Sequence, residues 1–101
     1  MVDKIGQVIQ PGAYLAYGHA LGRCAGIRIG KVINLEETTR KTWGDRMETI
    51  YRITVIGVSD DWGFEKPSLC SRKGTLQHPN RTVVIAPELV PAAYKSLLDS
   101  V

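Results

Sequence analysis

Thr49-Ile50-Tyr51-Arg52-Ile53-Thr54-Val55-Ile56-Gly57-Val58 is the stretch on which the fold turns. β-Branched and aromatic residues dominate it, which marks a strand. Its alternation places Tyr51, Ile53 and Val55 with Gly57 on one face, and Arg52, Thr54 and Ile56 on the other. Before it, Glu36 to Arg46 is polar and charged, with Trp43-Gly44-Asp45 as a turn. Ile27 to Leu35 reads as a second strand. Strict alternation there puts Ile27, Ile29, Lys31 and Ile33 on one face and Arg28, Gly30, Val32 and Asn34 on the other. Ala13 to Tyr17 is a third strand, opened by the turn signal Pro11-Gly12 and stopped by Gly18.

After the central strand, Ser59 to Pro67 is a loop that carries Trp62 and Phe64. Ser68 to Ser71 is a weak strand, followed by turns at Lys73-Gly74 and His78-Pro79-Asn80. Thr82 to Ala86 is a short strand of buried type. Pro87 and Pro91 mark a change of period, and Ala92, Tyr94, Leu97 and Leu98 then take helical spacing. A helix of about ten residues is marginal alone, so it should dock on the sheet.

Short strands, frequent turns and one terminal helix predict a mainly β chain: a small SH3-like antiparallel β-barrel with a short C-terminal α-helix. Residues 1–101 form a single domain on this reading, with the barrel over 1–86 and the helix within 87–101. Its expected core is Tyr14, Ile27, Ile29, Tyr51, Ile53, Val55, Val83, Ile85 and Leu97.

Composition fits one globular domain. The chain has 101 residues, 44% hydrophobic and 23% charged. No apolar run reaches the ~18 residues of a membrane helix. Met1 to Gln10 carries charges and no long apolar core, unlike a secretory signal. Without such a signal, Cys24 and Cys70 are expected to be reduced thiols.

The net charge is only +3, but the cations are clustered. His19 to Ile33 holds Arg23, Arg28 and Lys31 with no acid, and Lys66 to Arg81 holds Lys66, Arg72, Lys73 and Arg81, again with no acid. Asp60, Asp61 and Glu65 lie between them. If the basic segments share a face, the local field exceeds what the net charge implies.

Catalytic and cofactor signatures are missing. Gly18, Gly22 and Gly26 are four apart, but neither a P-loop nor a dinucleotide fingerprint is present. His19, His78, Cys24 and Cys70 lack zinc spacing. No serine or cysteine sits in a nucleophile motif. The expectation is a non-enzymatic protein with no cofactor and no metal.

Pro11 to Leu35 resembles the KOW-type segment of SH3-like barrels in ribosomal and transcription-elongation proteins. The matching residues are Gly12, Tyr14, Ala16, Gly18, Gly26, Gly30, Lys31 and Val32. Ala13 stands where that pattern has an acid, and the loop is longer. A second resemblance is to small tailed-bacteriophage proteins, through Ala16 to Arg23, Val58 to Trp62 and Leu69 to Leu76. It implies a protein made in the cytoplasm of an infected bacterium, and it assigns no functional residue.

Two functions follow as expectations. In the first, basic loops contact nucleic acid: Arg23, Arg28, Lys31, Arg72 and Lys73 meet phosphates while Trp43 or Trp62 stacks on a base. In the second, Trp62 and Phe64 dock the protein on a host enzyme or a phage assembly. Partners are thus a nucleic acid or a host or phage protein, without a membrane, and the oligomeric state is open.

Overall fold

The computed structural model describes residues 1–21, 24–59 and 66–101, with backbone only at positions 21 and 24. Among the described residues six strands and one α-helix are formed: β1 (Tyr14–Leu21), β2 (Cys24–Lys41), β3 (Met47–Ser59), β4 (Ser68–Leu69), β5 (Gly74–Leu76), β6 (Thr82–Ile85) and α1 (Ala92–Leu98). All pairings are antiparallel, in the order β4-β3-β2-β1-β6, with β5 also on β3. The chain is therefore mainly β with a short C-terminal helix, as its pattern of strands predicts. Among the described residues the ladder is an open path rather than a closed ring, with β6 at one end and β4 and β5 at the other.

The strands are longer than the sequence pattern suggests. β1 runs straight through Gly18, which keeps an ordinary strand conformation. β2 continues past Leu35 to Lys41, because Glu36 to Lys41 pairs residue by residue with Met47 to Arg52. The result is a long β2–β3 ribbon, turned at Thr42 to Arg46 with Gly44 at φ 72°. The ribbon stretches the molecule to 50 × 31 × 24 Å and raises the radius of gyration to 14.7 Å, above the ~13 Å of a compact chain this long.

The turn at Pro11-Gly12 is built as the sequence predicts. Ala13 N–H donates to the Gln10 carbonyl at 3.1 Å, and Gly12 takes φ 87°. Pro followed by a residue at positive φ is the signature of a type II turn. Gly12 N–H then donates to the Val32 carbonyl at 2.7 Å, which ties the turn to β2.

Two hydrophobic clusters lie on opposite faces of the sheet. Ile9, Leu15, Tyr17, Val32, Ile53 and Val55 form the inner cluster, joined by Met1, Leu35, Leu76 and Val84. Tyr14, Val58, Val90 and Leu98 form the helix-side cluster, with Ile29, Ile56, Leu69 and Leu97 around them. A bulge between Val32 and Asn34 exchanges the two faces of β2. Gly30 and Val32 face inward before it, and Leu35, opposite Ile53, faces inward after it. Strict alternation through Ile33 therefore fails.

Of the expected core, Tyr14, Ile53 and Val55 are buried, and Ile29, Tyr51, Val83, Ile85 and Leu97 are half-buried. Ile27 is not in the core: it is 77% exposed. β3 begins to flank β2 only at Gly30, so among the described residues Ile27 lies where the sheet has narrowed to the β1–β2 hairpin. α1 has seven residues and docks through the fully buried Leu98. Tyr14 Oη donates to the Asp99 carboxylate and fastens the end of the helix to β1. That bond, then burial and the nearby negative charge, push the Tyr14 hydroxyl above its ordinary pKa.

The N-terminal segment closes the β6 edge. Its loop turns at Gly6, at φ 86°, and Asp3 N–H donates to the Gln7 carbonyl at 2.9 Å. Asp3 Oδ2 accepts from Val84 N–H at 2.7 Å, and Gln7 Nε2 donates to the Val84 carbonyl at 3.0 Å. Lys4 N–H donates to the Thr82 carbonyl at 2.8 Å. The Asp3 and Gln7 side chains and the Lys4 backbone thus satisfy the outer edge of β6, which would otherwise offer bare donors and acceptors.

Candidate functional site

Tyr17 shapes the floor of a cleft on the inner face. Gly30 and Gly57 are cross-strand partners on β2 and β3, and neither has a side chain. The Tyr17 ring lies over the space they leave: a Cβ at Gly57 would strike its hydroxyl, and one at Gly30 would come within 3.1 Å of the ring. A Cβ at Gly30 would also meet the Ile56 carbonyl oxygen at 2.7 Å. The glycines are therefore required by close packing, not by turns.

From this floor the cleft opens between β1 and the stretch after β4. One lobe, of about 470 Å³, is lined by Tyr17, His19, Leu76, His78 and Arg81 among others. The other, of about 220 Å³, adds Arg28, Cys70 and Arg72. Tyr17, Gly18, His19, Thr75 and Leu76 line both lobes and make them one surface. No Asp or Glu lines either lobe among the described residues.

The two basic segments therefore meet. Arg28 comes from the first and Arg72 and Arg81 from the second, and Cα pairing explains how. β5 returns along β3 and brings the Arg72 loop to the inner face. The turn Pro79–Arg81 then leads into β6, which pairs with β1 beside Tyr17. Arg28 is half-buried and lies opposite Tyr17. Arg72 and Arg81 are exposed.

The other expected contacts are distributed differently. Lys31 is three residues from Arg28, and an odd spacing in a strand reverses the face. It pairs with Tyr14 and Ile56, whose side chains belong to the helix-side cluster, so it does not share the cleft. Lys73 is exposed next to Arg72 but does not line either lobe. Trp43 is 97% exposed at the ribbon turn. It lies beyond the end of β2 at Lys41, itself about 36 Å along the strand from Gly30 at ~3.3 Å per residue, and cannot stack on a base held in the cleft. Arg23, Trp62 and Phe64 lie outside the described residues. Cys70 is a free thiol beside the cleft, and the side chain of Cys24 is likewise outside the described set.

His19, His78 and Arg81 line the cleft although sequence reasoning did not select them. Arg81 was legible as part of an acid-free run. The histidines belong to no motif: His78 lies inside that run and His19 opens the other. Among the described residues no group of His, Cys, Asp or Glu is arranged to hold a metal ion. No helix there is long and apolar enough to cross a membrane.

No family model, curated protein or solved structure matches the chain.

Proposed function

We propose that this protein is a non-catalytic nucleic-acid-binding module that holds a phosphate backbone in the cleft between β1 and β5. Arg72 and Arg81 supply charge at the rim, Arg28 supplies it from the floor, and His19 and His78 offer ring nitrogens. The observation that carries the reading is the convergence of cations from two distant segments on one surface without an acid among the described residues. Coulombic attraction of that kind concentrates polyanions and neutralises phosphates without reading sequence. As the bacteriophage resemblance implies, the nucleic acid would be met in the cytoplasm of an infected bacterium.

The test is fluorescence anisotropy with labelled single-stranded RNA, single-stranded DNA and duplex DNA. Binding should weaken as salt rises, and Arg72→Gln with Arg81→Gln should weaken it for every sequence alike. Lys31→Gln, on the other face, should leave affinity nearly unchanged. If none of the three nucleic acids binds even at low salt, the reading fails and a protein partner becomes the one to seek.

A further inference from the structure

Among the described residues the chain closes the β6 edge and leaves both edges of the β2–β3 ribbon without a strand beside them. β6 is sealed by Asp3, Lys4 and Gln7. β2 is flanked by β1 only as far as Lys31, and the turn before β1 reaches Val32. From Asn34 to Lys41 the far edge of β2 has no strand beside it among the described residues. An edge of this length is a template for another strand.

The sequence of this edge specifies which strand. Glu36-Glu37-Thr38-Thr39-Arg40-Lys41 has two acids, two threonines and two bases in order. Run antiparallel to itself, it sets its acidic end against its basic end. Backbone pairing across a twofold axis requires like-oriented residues to meet, so the axis passes through a residue. With the axis at Thr38, Glu36 faces Arg40 of the second copy, twice by symmetry. With the axis at Thr39, Glu37 faces Lys41 in the same way. Opposite charges and Thr–Thr pairs are both favourable cross-strand neighbours. A parallel arrangement would set like against like. Charges often guard edges against pairing, but this order repels the parallel mode and the antiparallel registers centred on Glu36, Glu37, Arg40 or Lys41, and favours those centred on Thr38 and Thr39.

Trp43 is an independent indication. It is 97% exposed at the ribbon turn, where an isolated indole has no apolar cover. In either register it falls opposite Ile33 or Leu35 of the second copy. These two half-buried residues lie where the ribbon joins the body. We infer that the chain forms a twofold homodimer in which the β2 edges pair antiparallel through Glu36 to Lys41, with each Trp43 covered by the other copy.

Sedimentation equilibrium tests this with charge swaps. The wild-type chain should dimerise reversibly. Arg40→Glu with Lys41→Glu makes the edge wholly acidic and should weaken the dimer about tenfold or more, because like charges then face each other. Glu36→Lys with Glu37→Lys makes it wholly basic and should do the same. An equimolar mixture of the two variants should recover a dimer, a result that also shows both are folded. Trp43→Ala should weaken the wild-type dimer without changing its circular dichroism. A wild-type chain that stays monomeric to its solubility limit, or a dimer that survives both swaps, would overturn the inference.

Discussion

At the scale of single residues, Asp3 and the Tyr17–glycine contact matter most. Burial alone would push the Asp3 carboxyl upward, but bonds from Val84, Gln7 and Ile5 N–H groups and from the Gln7 amide outweigh it. Its pKa is held below the ordinary carboxylate value. The unfolded chain therefore takes up the proton first as pH falls. The stabilisation is fully present above the unfolded value near ~3.9 and is lost as pH drops through the folded one. Thermal melting should thus show an acid-side loss below about pH 4 that is blunted in Asp3→Asn. That variant should itself cost about 1–3 kcal/mol at neutral pH, because Val84 or Gln7 loses a charged acceptor. A melting curve for Asp3→Asn that follows the parent at every pH would refute this role. Gly57→Ala should destabilise through the Tyr17 hydroxyl, and Tyr17→Phe should relieve part of that loss, giving a non-additive cycle. Additive effects in denaturant unfolding would show that the contact is not the cause. The glycines were visible in the sequence, but the ring that fills their space was not, because β1 reaches it only through the three-dimensional pairing.

At the scale of elements, local pattern located the strands and the turn at Pro11-Gly12 but not their ends. Gly18 looked like a stop, yet it pairs with Ile27 of β2 between neighbours that also pair, and so remains a strand residue. Glu36 to Lys41 reads only as polar and charged, with no apolar alternation to mark a strand, and pairing with Met47 to Arg52 makes it one. Lys31 and Arg28 could be set on opposite faces from alternation alone, and that held until the bulge beyond Val32. For α1, seven residues are too few for independent helicity, so its stability comes from docking. Leu98→Ala removes its fully buried anchor and should cost about 2–5 kcal/mol. Chemical denaturation would read this as an earlier midpoint with an unchanged slope. A midpoint within error of the parent would mean the helix does not share the cooperative unit.

At the scale of the molecule, α1 packs on one face of the sheet, and on the other Met1 and Ile9 of the N-terminal segment and Leu76 of β5 join the inner cluster. The cleft lies where the inner cover stops. The acid-free basic segments were legible in the chain, but their convergence was not, since it depends on β5 folding back along β3. The site therefore rests on topology as much as on composition. The measurement that tests it most directly is the salt dependence of affinity for one labelled single strand, in the parent and in Arg72→Gln with Arg81→Gln. If both guanidiniums neutralise phosphates, the slope of log affinity against log salt should become shallower by about 1.4, at roughly 0.7 per contact. An identical slope in parent and double variant would contradict the cleft as the nucleic-acid interface.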